Sequence, residues 1–143
     1  MTVLDAFAVI ALLKGEPASA QVQALIEAGG CALTTLGVAE VVDHLVRLVG
    51  ASDEDAVLDV AQLGLDASIE LDEAAAIQGA LLRARHCNKK SRQVSLADCV
   101  AASAARTGQT AVATSDPHLL DLCNHERIAV ITLPDSSGAL WSP

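Results

Sequence analysis

Tyrosine is absent from this 143-residue chain, and Phe7 and Trp141 are its only phenylalanine and tryptophan. A recognition surface made of bases stacked on aromatic rings is therefore not expected. Cysteine occurs four times (Cys31, Cys87, Cys99, Cys123) but never as a CxxC pair. Neither a zinc site nor a disulfide framework is implied by that spacing. Long apolar runs are missing as well. The run Ala6–Leu13 is far too short to span a membrane, and no basic segment precedes it. Positive charge is scarce: nine Lys and Arg face eighteen Asp and Glu, for a net charge of −9. So acidic a chain repels nucleic acid unless its charge is locally sorted or neutralised by metal. The expectation is a cytoplasmic protein without a signal peptide or membrane anchor.

What is present is core. Hydrophobic residues make up 52% of the chain and mean hydropathy is positive, which excludes disorder as the main state. The length suits one domain. Strand-like and helix-like segments alternate along it. Strands are expected at Thr2–Asp5, Cys31–Thr35, Ala67–Leu71, Thr110–Thr114 and Ile128–Leu133. Helices are expected at Ala6–Lys14, Pro17–Ala28, Val38–Val49, Asp53–Leu63, Asp72–His86, Ser95–Thr107 and Pro117–Cys123. This order predicts an α/β fold with a mainly parallel five-stranded sheet over residues 1–133, followed by a turn-rich tail, 134–143. In such sheets ligands sit beyond the carboxyl ends of the strands.

Four acids fall at that rim. Asp5 closes the first strand, Asp116 follows the fourth, and Glu40 and Asp98 lie in first helical turns. Each has a structural role open to it. Ser95 and Asp98 have capping-box spacing, Asp116 before Pro117 is a good N-cap, and Glu40 suits a helix dipole. Asp5, between Leu4 and Ala6, is costly to bury without a partner. As a group they need protons or cations, because two carboxylates ~4 Å apart repel by roughly 4 kcal/mol at an effective dielectric of 20. The only lysines are Lys14, Lys89 and Lys90, none of which follows the fourth or fifth strand. A hard divalent cation, Mg²⁺ or Mn²⁺, fits an oxygen-only donor set.

Val3-Leu4-Asp5, Thr34–Glu40, Ser95-Leu96-Ala97-Asp98 and Thr114-Ser115-Asp116 resemble the four motifs of PIN domains. The small size and the Gly15-Glu16-Pro17 segment are most similar to VapC-type toxins of bacterial toxin–antitoxin pairs. The resemblance runs over about residues 1–133. It implies a Mg²⁺-dependent endoribonuclease, with Asp5, Glu40, Asp98 and Asp116 as the acidic quartet and Thr114 as a supporting hydroxyl. It further implies an RNA substrate, a cognate antitoxin and a homodimer. One departure is that Pro117, His118 and Leu119 follow Asp116, where many relatives carry another acid; the next here is Asp121. His118 is a candidate substitute, and Asp43 a candidate outer acid.

Two other α/β classes place an Asp after the first strand beside Mg²⁺. A response-regulator receiver wants adjacent acids and a late lysine, and a haloacid-dehalogenase-like phosphatase wants an acid where Phe7 stands. A third reading is a PIN-like binding module without catalysis. Five of the nine basic residues cluster at Arg83, Arg85, Lys89, Lys90 and Arg92. They are candidates for RNA-backbone contact, with a solvated loop as the alternative. Cys99 and Cys123 read as core, Cys87 as the most exposed cysteine, and Trp141 as a clasp or a partner contact. Surplus apolar positions in Pro17–Ala28 and Val38–Leu63 suggest association.

Overall fold

The computed structural model describes residues 1–143. Five parallel strands form one sheet: β1 (Thr2–Leu4), β2 (Cys31–Thr34), β3 (Ala67–Ile69), β4 (Ala111–Thr114) and β5 (Val130–Thr132), in the order β3-β2-β1-β4-β5. Register is fixed by pairs such as Val3 with Ala32 and with Val112. Seven α-helices connect the strands: α1 (Ala6–Lys14), α2 (Ser19–Ala28), α3 (Thr35–His44), α4 (Asp53–Ala61), α5 (Glu73–His86), α6 (Leu96–Thr107) and α7 (Pro117–Glu126).

The sheet is covered on both faces. Neighbouring strand residues point to opposite faces, so Leu4 and Leu33 join Val9, Val22 and Val41 under α1–α4, while Val3 and Val112 join Leu82, Cys99, Ala102 and Leu119 under α5–α7. Burial on both sides explains why the central strands carry hydrophobic runs rather than alternation. Three cysteines are buried and Cys87 is half-buried; all four are free. No helix is long and apolar enough to cross a membrane.

The ends of the elements differ from the sequence expectation for identifiable reasons. β2 stops at Thr34 because the Thr34 hydroxyl accepts a bond from Gly37 N–H (2.9 Å) and starts α3 three residues earlier than its apolar periodicity. A Cβ on Gly37 would lie 2.8 Å from Leu33 Cδ1, so glycine lets this helix start sit on β2. The far end of the same segment is a π-helical turn, Leu45–Val49, closed by Gly50 at φ 84°. α2 starts at Ser19, two residues after Pro17, where Ser19 N–H binds Glu16 O (2.8 Å). β3 ends at Ile69; Leu71 N–H goes to the Thr35 hydroxyl (3.0 Å), and Asp72 caps α5. α7 runs three residues past Cys123 and is closed by Arg127 at φ 57°, with no glycine to announce it.

Candidate active site

The chain leaves β1 toward one edge of the sheet and returns through β4 on the other side of β1, so the crevice between their carboxyl ends is the topological switch point. Asp5 is the first residue beyond β1. Its Oδ1 accepts from Ala8 N–H (2.7 Å), capping α1, and its Oδ2 accepts from the hydroxyl of Thr114, the last residue of β4. The same Thr114 oxygen accepts from Asp116 N–H (3.0 Å), and Asp116 Oδ1 accepts from His118 N–H (2.8 Å), capping α7. A single buried hydroxyl thus ties the two rim acids together.

Asp98 is fixed from a third direction. Its Oδ2 accepts from Ser95 N–H and its own N–H binds Ser95 Oγ, both at 3.0 Å, completing a capping box at the start of α6. Glu40 projects half-buried from α3. The capping roles read from the sequence are therefore real for Asp98 and Asp116. They hold each carboxylate in one rotamer with a free oxygen lone pair to spare, which a site requires.

The four acids act on one another's charge. Burial pushes the Asp5 carboxyl up to about 7, and the charges of Asp98 and Asp116 add to that, against the bonds from Thr114 and Ala8. Asp98 is raised by burial and by Asp116, opposed by its bonds to Ser95 and by the nearby His118. Glu40 is raised by burial and by Asp98 and Asp43. A neutral-range carboxyl among other acids marks a place where a proton or a cation is needed. No three His, Cys, Asp or Glu side chains converge into a preformed cage. Mg²⁺ and Mn²⁺ take oxygen ligands and keep several waters. The all-oxygen donor set fits such an ion.

Other sequence candidates are occupied elsewhere. Asp43 is exposed and paired with Arg47 (2.9 Å), which holds its carboxyl below the usual range. Asp121 accepts from Arg92 Nε (2.8 Å). Arg92 also reaches His86 Nδ1 (2.7 Å), whose Nε2 meets Glu126 (2.7 Å); Arg85 and Arg106 converge on the same Glu126. Arg83 donates to Val94 O (2.9 Å). Arg83 and Arg92 therefore brace the small hairpin closed by Asn88 and Arg92, Arg85 ties α5 to α7, and Lys89 and Lys90 stand exposed on the hairpin. Trp141 is half-buried.

Sequence reasoning passed over one neighbour of the rim. Phe7 and His44 meet edge to face, with ring centroids 6.1 Å apart, and line a cleft of about 370 Å³ that reaches Asp116. The only signal for it in the sequence is spacing: Phe7 is two residues past Asp5, and His44 is one helical turn past Glu40.

Comparison with solved structures gives the same architecture. FitAcB from Neisseria gonorrhoeae is 21% identical, with a TM-score of 0.65 over 92% of this chain and 96% of that one. VapBC2 from Rickettsia felis, bound to a DNA fragment from its promoter, is 16% identical, with a TM-score of 0.62 over 91% and 96%. A toxin–antitoxin complex from Klebsiella pneumoniae is 17% identical, with a TM-score of 0.58 over 81% and 87%. At these identities the likeness is one of fold. No curated protein sequence matches the chain. The family model described as the PIN domain matches residues 2–124, nearly the whole sheet and every acid of the rim, and on that match this chain belongs to the PIN domain family.

Proposed function

We propose that this chain is a metal-dependent endoribonuclease and the toxin of a type II toxin–antitoxin pair. The observation that carries the catalytic reading is the Asp5–Thr114–Asp116 bond chain at the switch point, coupled through charge to Asp98 and Glu40. The toxin reading draws on the solved structures of similar fold, of which one is a toxin–antitoxin complex.

Asp5 and Asp98 would hold the ion most directly, with Asp116 completing the site. A bound Mg²⁺ supplies polarisation of the scissile phosphate and a water of lowered pKa. The remaining work falls to the protein. Thr114 fixes Asp5 Oδ2, and Ser95 fixes Asp98 Oδ2. A cation held there would take the place of the proton that burial favours on Asp5. Glu40, less buried and raised in pKa, is suited to orient the attacking water and accept its proton. Water oxygen bonds to phosphorus in line with the departing ribose oxygen, the P–O3′ bond breaks, and the 3′ oxygen leaves as a hydroxyl after taking a proton from solvent.

Incubating purified protein with RNA in Mg²⁺, in EDTA, and as Asp98→Asn tests this. Cleavage only by the wild type with metal supports the proposal. Cleavage that survives either EDTA or the substitution contradicts it. Metal-dependent stabilisation without cleavage of any RNA favours a binding module on the same fold.

A further inference from the structure

The same two helices that supply rim acids supply a second pair of side chains. α1 carries Asp5 at its N-cap and Phe7 in its first turn; α3 carries Glu40 and, one turn on, His44. The neighbours of Phe7 in α1, Ala6 and Ala8–Ala11, are all buried, yet Phe7 itself is 50% exposed. The chain has one phenylalanine, and it stands in the open beside the acids, with its ring plane set at 83° to His44. The cleft these rings line is also lined by Asp116, Asp135, Lys14 and Glu16. Its volume, about 370 Å³, is at the small end for ligand sites.

The geometry points to a subsite for one unpaired nucleobase of the RNA, the base flanking the phosphate held at the acidic rim. This rests on the ribonuclease reading and extends it to how the substrate is held. An extended stacking platform is absent from this chain, as its composition requires, but a single ring with an edge-on imidazole is enough for one base. Charge selects the base over the phosphate. Lys14 is already paired with Glu16 (3.3 Å), so the cleft walls present carboxylates without spare positive charge. A phosphate there would be repelled by Asp116 and Asp135, whereas a neutral heterocycle stacks on Phe7. Continuity with Asp116 places that base one nucleotide from the reacting phosphate rather than at a remote site.

The test uses a short RNA containing 2-aminopurine, whose fluorescence falls on stacking, titrated into Asp98→Asn so that the strand stays intact. Quenching is expected, with affinity about tenfold weaker when Phe7→Leu is added and a smaller loss with His44→Ala. Leucine keeps the apolar bulk, and an unchanged melting temperature checks that the fold is retained. Equal quenching and affinity with and without Phe7 overturn the subsite. Wild-type cleavage, measured separately, keeps the two claims apart. Cleavage without Phe7 dependence removes only the subsite. Phe7-dependent quenching without cleavage removes only the nuclease. If Phe7→Leu releases a co-expressed partner protein while leaving RNA binding unmoved, the cleft seats a protein segment and the nucleobase proposal fails.

Discussion

Thr114 Oγ1 donates to Asp5 Oδ2 across 109 positions of sequence and accepts from Asp116 N–H, so one hydroxyl sets the angle of one rim acid and the backbone of another. Thr114 is fully buried, so removing its hydroxyl leaves the Asp5 carboxyl without that partner. Thr114→Val keeps the shape and removes the hydroxyl. It should cost about 1–3 kcal/mol in urea unfolding and reduce cleavage, while Thr114→Ser should retain most of both. Equal losses with serine and valine would assign the effect to packing.

Asp5 makes the metal-free fold pH-dependent. The unfolded chain releases the Asp5 proton near 3.8, the folded chain at about 7. Well below pH 3.8 both states are protonated and the group costs nothing. Between these values the folded state binds more proton, so stability falls as pH rises, and the full cost stands above pH 7. Asp5→Asn should therefore be more stable than wild type at pH 8, by a few kcal/mol, with the difference vanishing toward pH 4. Denaturant midpoints of metal-free protein across that range check this; a wild type that gains on the mutant as pH rises refutes it.

Divalent cations should reverse that penalty. Mg²⁺ or Mn²⁺ should raise the melting temperature of wild type, by about 2.7 kcal/mol of added stability at a hundredfold excess over Kd, and leave Asp98→Asn nearly unmoved. Asparagine can still accept the Ser95 N–H bond, so the fold of that variant is preserved. An identical shift in both proteins would place the ion elsewhere.

The basic hairpin should divide into two functions. Arg92→Ala should destabilise the fold by about 1–3 kcal/mol, because Arg92 is largely covered and joins Asp121 to His86. Lys89→Ala with Lys90→Ala should leave stability unchanged and flatten the salt dependence of RNA binding, by about 0.7 in slope for each phosphate that is no longer neutralised. An unchanged slope would make this hairpin a solvated loop.

α5 and α6 meet at a glycine. A Cβ on Gly79 would stand 2.6 Å from Val100 Cγ2 and 3.2 Å from Val100 Cα. Gly79→Ala should thus destabilise by about 1–3 kcal/mol despite alanine's better helix propensity, as thermal unfolding will show.

Alternation of apolar strands with capped helices made the parallel sheet legible in the sequence, and Asp5 stood out as an acid no strand end tolerates alone. Asp98 and Asp116 were legible at the right elements but read equally as caps, and the structure shows why: each is a cap and a rim acid with the same oxygen set. What could not be read was pairing over distance. Nothing in the order of residues says that Arg92 meets Asp121, and the family resemblance marks Thr114 only as a supporting hydroxyl; its bond to Asp5 exists because β1 and β4 are neighbours. The exposure of Phe7 was hidden for the same reason. An apolar residue inside an apolar run reads as core until the helix face it occupies is known.

The most direct test of the ribonuclease account is mapping of new 5′ ends in total cellular RNA after brief expression of wild type and of Asp98→Asn. A discrete cleavage site present only with the wild type is the predicted result, and it names the RNA. Identical end maps, with growth unaffected by either protein, would contradict it.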